Sequence, residues 1–238
     1  MSLIVEVSNL SYTYEDGTQA LKEIDFELED GATIALLGAN GSGKTTFVHH
    51  LNGILPGSGQ PSGSIISSGS IIIDGLPMTG KNLREIRKRV GLVFQDSDNQ
   101  LFMPSVLEDV TFGPLAWGMT QAEAVERAEA ALDRVGLRHK ADKAPWHLSA
   151  GEKKRAAIAG ILATDARLLV LDEPTTFLDP PGQRALSDLL ASLPQAKILV
   201  THDSAFARGL TGEAVFFDAG TIAARGPIAA MVQRHGWQ

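Results

Sequence analysis

The chain has 238 residues, a formal net charge of −7 and no cysteine, with 44% apolar and 21% charged residues. That length and apolar share suit one α/β domain, or one core carrying a subdomain, and the missing cysteines exclude disulfides and thiolate metal sites. The acidic balance argues against broad nucleic-acid binding, and no apolar run approaches the roughly 20 residues needed to cross a bilayer, so work at a membrane would need another chain to span it.

Leu3, Val5 and Val7 alternate with polar residues, as do Ile24, Phe26 and Leu28, which predicts two strands with a turn at Asp16-Gly17 between them. Thr33 to Leu37 is a short apolar strand, and a helix is expected from Lys44 to about Asn52. Residues 53–69 are rich in Gly, Ser and Pro and read as a surface loop. Ile71 to Ile73 and Val90 to Phe94 are again strand-like. Thr120 and Glu123 form a capping-box pair before a helix with Ala122, Val125, Ala128, Leu132 and Val135 on one face, ended by Gly136. Leu168 to Leu171 and Ile198 to Val200 are continuous apolar runs that fit parallel strands covered on both faces, with a helix expected over 182–193 between them. Strand, helix and strand in this order predict an α/β architecture.

Gly38-Ala39-Asn40-Gly41-Ser42-Gly43-Lys44-Thr45 fits G-x-x-x-x-G-K-[ST], after a predicted strand and opening a predicted helix. The glycines let the backbone wrap phosphates and turn its N–H groups inward, and the helix N-terminus favours an anion. Lys44 supplies a point charge for the β- and γ-phosphates and Thr45 a hydroxyl for Mg²⁺. Thr46, next in the helix, joins the nucleotide-binding set. Asp172 closes the run Leu168–Leu171, where a carboxylate at a strand end can hold Mg²⁺ through water. Glu173 points elsewhere and can polarise the water that attacks the γ-phosphate.

Leu148-Ser149-Ala150-Gly151-Glu152, shortly before the Asp172-Glu173 strand, makes the chain resemble the ABC ATPase family over nearly its whole length. The resemblance implies a P-loop NTPase core with an N-terminal antiparallel β subdomain, all in one domain over 1–238, and an inserted helical subdomain over roughly 96–160. It implies ATP and Mg²⁺ as cofactors. Ser149 and Gly151 would contact the γ-phosphate of ATP held by a second ATPase subunit, and Ser149 with Glu152 also makes a capping box. Ala150 and Glu152 depart from the L-S-G-G-Q pattern. Lys153, Lys154 and Arg155 read as a solvated helix face.

By the same resemblance Gln95 senses Mg²⁺ and the attacking water, His202 contacts the γ-phosphate, and Asp179 lies across the dimer interface. Phe177 is bulkier than the residue usual beside Asp179. Tyr14 fits the aromatic that stacks on adenine, with Tyr12 as its competitor.

The segment Val90 to Phe102, with Glu108-Asp109-Val110 and Phe112-Gly113-Pro114, is similar to the ATPases of energy-coupling factor importers of the cobalt and nickel type. This implies a transmembrane coupling protein and a separate substrate-capture membrane protein as partners. It also implies a place on the cytoplasmic face of the membrane. Part of the segment from Asp96 to Pro104 would line the docking groove. Cobalt or nickel is the first cargo expected, with biotin or another vitamin next. A homodimer is expected, and pairing with a related ATPase stays open. The rivals are a soluble ABC ATPase without transport and a P-loop kinase. The first usually carries a long coiled coil or two ATPase units; the second has no need of the Ser149 segment.

Overall fold

Strands β1 (Leu3–Thr13) and β2 (Gln19–Glu29) pair antiparallel across the Asp16-Gly17 turn, with Val7 opposite Phe26 and Leu10 opposite Ile24. Alternation puts Val5, Val7, Ile24, Phe26 and Leu28 on the buried face, and a register shift between Val7 and Leu10 adds Leu10 to the core. The structure is a computed structural model that describes residues 2–55 and 68–235, so most of the loop expected over 53–69 lies outside the described residues. The chain leaves the first sheet through β3 (Thr33–Leu37) and helix α1 (Lys44–Leu51). It returns through β4 (Ser68–Ile73), which joins β1, and the short β5 (Leu76–Pro77).

A second sheet runs in the order β10-β9-β3-β8-β7-β6. Its strands are β6 (Val90–Val93), β7 (Leu168–Asp172), β8 (Ala196–Val200), β9 (Glu213–Asp218) and β10 (Thr221–Pro227) around β3. All pairings are parallel except β9 with β10, a hairpin turned at Ala219-Gly220. β7 and β8 are buried at every residue, as their unbroken apolar runs require.

The two sheets enclose α1, whose Phe47, Val48 and Leu51 are fully buried. Phe47 packs between Phe26 and Phe217, at ring-centroid distances of 5.2 and 5.4 Å. Helix α2 (Leu83–Arg89) leads into β6. The far face of the second sheet carries α3 (Val106–Ala116), α4 (Gln121–Arg134), α5 (Ala150–Leu162) and α6 (Pro180–Ser192). Helices α7 (Ser204–Leu210) and α8 (Ile228–His235) pack on one face of β3 and β9. At the strand end away from the loop after β3, Arg167 bonds Asp74 and Asp30, and Arg89 also bonds Asp74, so charge joins the two sheets.

The α4 capping box is complete, with Thr120 and Glu123 satisfying each other's backbone N–H. Its buried face is Ala124, Ala128, Ala131 and Leu132, whereas Ala122 is exposed and Val125 half-buried. Ala128, Leu132 and Val135 are buried as expected, and the face differs only in the first turns, where Ala124 takes the buried place expected for Ala122 and Val125.

Helix α5 crosses β6 where Gly91 leaves a notch. A methyl group added to Gly91 would stand 2.0 Å from Ile161 Cγ2 and 3.0 Å from its Cβ. Isoleucine is stiff at this branch and has no rotamer that clears the clash cheaply. Gly91→Ala is therefore expected to cost about 1–3 kcal/mol of stability. Adding Ile161→Ala should cost less than the sum of the two single losses, read by denaturant unfolding of all three variants.

Candidate active site

Strands β3, β7 and β8 end at one edge of the second sheet and open into a cleft of about 670 Å³. This is the edge where open parallel sheets bind ligands. The loop after β3 forms its floor. Gly43 has φ +105°, and a Cβ there would stand 2.7 Å from the Ala20 carbonyl oxygen, so only glycine brings the loop this close to β2. Gly43 also precedes α1 with no side-chain cap. By contrast α3, α4, α5, α6 and α7 are capped by the side chains of Ser105, Thr120, Ser149, Asp179 and Asp203. The uncapped first turn of α1 directs N–H groups and positive dipole toward the cleft, which suits an anion.

Lys44 is only 6% exposed. Its ammonium donates to the carbonyls of Gly38 at 2.6 Å and Ala39 at 2.9 Å, and to Ser42 Oγ at 3.3 Å. Burial pulls its pKa down, opposed by the charges of Glu173 and Asp172. The Thr45 hydroxyl donates to the Asp172 carboxylate at 3.1 and 3.4 Å. Burial raises the Asp172 pKa; Thr45 opposes this and Glu173 adds to it. These are hard oxygen donors. Among the described residues no three His, Cys, Asp or Glu side chains converge as a self-contained metal site. Such a donor set fits Mg²⁺, which takes one or two protein carboxylates and completes its shell with phosphate and water oxygens.

Glu173 continues the ladder, its N–H donating to the Val200 carbonyl at 2.8 Å, yet its φ is +45°. A non-glycine residue in the left-handed region is uncommon, and here it turns a buried carboxylate beside the mouth of the cleft. One carboxylate oxygen lies 2.8 Å from His202 Nδ1 and accepts from the His202 backbone N–H at 3.4 Å. Glu173 and His202 therefore form one polar unit across the ends of β7 and β8.

Tyr14 lines the cleft, and its hydroxyl is 2.9 Å from Thr46 Oγ1. Tyr12 is buried beneath it, edge-on at 4.9 Å, and does not line the cleft. Asn40, Gly41 and Gln95 complete the predicted residues along the walls, while Gly38 and Ser42 lie behind as acceptors for Lys44. The structure does not bring Ser149, Gly151 or Asp179 to this cleft. Ser149 caps α5, and Asp179 caps α6 through the Gly182 N–H at 2.9 Å. Glu152 turns back to close the Ser149 capping box and pairs with Lys140. Burial pushes its pKa up, but Lys140 and Ser149 outweigh that and hold the carboxyl below its ordinary value.

Two features are absent from the sequence reading. The Ala219-Gly220 turn forms one wall: Gly220 N–H donates to Ser42 O at 3.0 Å, and Gly220 O accepts from Lys22 N–H at 2.8 Å. Nothing local marks these residues, since the hairpin meets the loop only in three dimensions. The Lys153–Arg155 face is also not simply solvated. Lys154 is 2% exposed, and burial lowers its pKa to about 8 against the charges of Asp96 and Asp172. Helical spacing carries the missed signal, because Lys154 lies on the stripe of Ala157, Ile158 and Ile161, all buried.

A family model described as ABC transporter matches residues 21–176. The chain belongs to the ABC transporter family. It is 49% identical, over 85% of its length and 72% of the relative's, to the energy-coupling factor transporter ATP-binding protein EcfA of Methanosphaera stadtmanae. Its fold superposes on CbiO1 of Clostridium perfringens, part of the ABC transporter complex CbiONQ, with a TM-score of 0.85 and 36% identity. That match covers 99% of this chain and 92% of CbiO1. A dimeric, post-hydrolysis ATP-binding cassette, MJ0796 with ADP and Pi, aligns with a TM-score of 0.80 and 26% identity, covering 94% of this chain and 98% of the cassette. The fold is that of the ABC ATPases, and the chain is an ATP-hydrolysing, ATP-binding subunit that uses ATP with Mg²⁺.

Lys44→Met removes the buried cation and leaves the Gly38 and Ala39 carbonyls without their donor. Affinity for a fluorescent ATP analogue is expected to fall roughly 10- to 100-fold, the worth of one strong charge-assisted contact. Unchanged affinity would remove Lys44 from the phosphate cradle.

Proposed function

We propose that the chain powers an energy-coupling factor importer as one of two ATPase subunits, each nucleotide held between them. One observation carries this reading. The cleft gathers Lys44, Thr45, Asp172, Glu173 and His202 on one chain, while Ser149 and Gly151, at the N-terminal tip of α5, are not among the residues that line it. A second copy, presenting that tip, supplies further N–H groups for the γ-phosphate.

The reaction is ATP plus water to ADP and phosphate. Lys44 and the N–H groups of the loop hold the β- and γ-phosphates, Tyr14 stacks on adenine, and Asp172, Thr45 and Gln95 face the metal. Mg²⁺, when bound, offsets charge on the bridging phosphate oxygens. Glu173 orients the attacking water, and His202 keeps the carboxylate aimed while meeting the γ-phosphate. Asp179 stiffens the turn after Glu173 by capping α6 near the partner.

The whole chain acts as one ATPase domain in which α3, α4 and α5, within roughly 96–160, form an inserted helical subdomain. Phe102, Phe112 and Leu115 are exposed there, with the two rings edge-on at 5.2 Å. We assign this apolar strip to docking of the transmembrane coupling protein, which leaves the subunit on the cytoplasmic face of the membrane. Within the segment from Asp96 to Pro104, Asp98 and Gln100 are engaged inside the chain. Asp98 pairs with Lys153, and Gln100 bonds Phe94 N–H and Leu92 O at 2.9 Å each, holding its own loop. The likeness to EcfA supports the importer branch, and the resemblance of residues 90–102 favours cobalt or nickel as cargo, with a vitamin as the alternative. Among the described residues no helix exceeds 14 residues, which counts against the coiled-coil insertion of a soluble repair or translation ATPase.

Glu173→Gln keeps shape and loses the negative charge. It is expected to bind ATP, slow hydrolysis by about a hundredfold or more, and accumulate an ATP-bound dimer by size-exclusion chromatography with light scattering. A variant that stays monomeric in saturating ATP, or turns over normally, refutes the reading.

The pair Phe102→Ser with Phe112→Ser should leave ATP affinity within about twofold while co-purification with the membrane components drops at least tenfold, as loss of a buried aromatic anchor predicts. Loss of ATP binding with assembly intact would place the strip elsewhere.

A further inference from the structure

Lys154 is a buried charge where an apolar residue would pack as well, and burying an ammonium is costly unless its partners repay it. Its Nζ donates to two successive carbonyls, Phe94 at 3.0 Å and Gln95 at 2.8 Å. These residues directly follow β6, and Gln95 lines the ATP cleft. Its neighbour Lys153 pairs with Asp98 on the same loop. Within the loop, Asp96 accepts from Asp98 N–H and Gln100 closes back onto Leu92 and Phe94. Residues 94–100 thus form a small closed body bolted to the first turns of α5.

A second buried lysine provides the control. Lys197, 4% exposed, donates to the carbonyls of Leu193 at 2.6 Å and Gln195 at 2.8 Å. Those groups lie at the C-cap of α6 and in the turn into β8, so Lys197 ties that turn and does not line the cleft. Lys154 has the same chemistry but acts on the backbone of a cleft residue, and it belongs to the helix that starts at Ser149.

We propose that Lys154 is a positioning residue for ATP hydrolysis, tying the Gln95 backbone to α5 so that the reach of Gln95 toward Asp172 and Thr45 follows where α5 stands. The inference rests on the reading that Gln95 faces the metal and the attacking water. Under it, the seating of the Ser149 helix tip on a partner's nucleotide is reported inside the same chain, through two hydrogen bonds, to the opposite cleft. Lys154 does not line the ATP cleft, so its loss acts on turnover more than on nucleotide binding.

The test uses the full chain with Lys154→Met, Lys154→Gln and Gln95→Ala, measured for hydrolysis and for backbone hydrogen exchange. Lys154→Met is expected to lower kcat about tenfold with KM for Mg-ATP within about twofold. The amides of residues 94–100 should exchange at least about tenfold faster while those of β7 and β8 keep their protection. Lys154→Gln retains a donor for one carbonyl and should recover most of kcat. Native kcat in Lys154→Met overturns the proposal even if the loop loosens. A loss that Lys154→Gln does not rescue, or that comes with faster exchange through β7, marks general damage and also overturns it. If Lys154→Met does not fold, Lys154→Leu takes its place: faster exchange over 94–100 with kcat lowered about tenfold supports the proposal, and native kcat overturns it. A Gln95→Ala variant with native turnover refutes the role given to Gln95 itself. A slow Gln95→Ala beside a native Lys154→Met refutes only the tie.

Discussion

A cation sealed inside its own backbone loop sets the terms for this protein. Lys44 sits among carbonyl oxygens at the uncapped start of α1, and the arrangement makes sense only around a polyanion. Every other feature of the cleft answers that demand. β3 delivers the loop, the Phe47 contacts fix α1 between two sheets, and the hairpin of β9 and β10 braces the loop from behind. β7 and β8 then bring two carboxylates and an imidazole to the same edge. The charges are arranged so that burial strains each of them: Lys44 is pulled toward its neutral form and so is Asp172. A metal bound to a triphosphate relieves both at once.

Much of this was legible locally. The phosphate loop, the Asp172 strand end and the unbroken runs of β7 and β8 each carry their physics in a few consecutive residues, and those elements stand where they were expected. The family pattern added Gln95, His202 and Tyr14, which the fold gathers along one cleft although they are far apart in sequence. What was not legible is what tertiary packing decides. The alanine-rich α4 offers competing faces in its first turns, and its neighbours select among them. Ala219 and Gly220 acquire their position only when a distant hairpin lands beside the loop. Lys154 reads as surface until α5 is laid against β6, after which its helical phase makes burial unavoidable.

The Ser149 helix tip shows how a capping box absorbs a charge that the family pattern does not carry. Ser149 and Glu152 cap each other's backbone, which uses the Glu152 charge locally and shields it with Lys140. The departure from the family's glutamine is thereby neutralised within the chain. A Cβ added at Gly151 would come no closer than 3.7 Å, to Leu178 Cδ2, so nothing inside the chain crowds this position. Phe177 is less readily absorbed. It stands 77% exposed at φ +65° in the turn between Glu173 and α6, a conformation costly for an aromatic residue. The turn keeps its shape through the hydrogen bonds from Thr176 to Glu173 and from Leu178 to Thr175.

The notch at Gly91 has a mechanical meaning. Ile161 seated in it resists sliding of α5 along β6, so the helix can swing about that point more easily than it can translate. Ser149 lies twelve residues away, a lever arm of about 18 Å at the helical rise. A swing of about 10° then carries the helix tip roughly 3 Å, comparable to one hydrogen-bond length. The bearing turns a small angular adjustment into a displacement large enough to make or break a hydrogen bond at the helix tip.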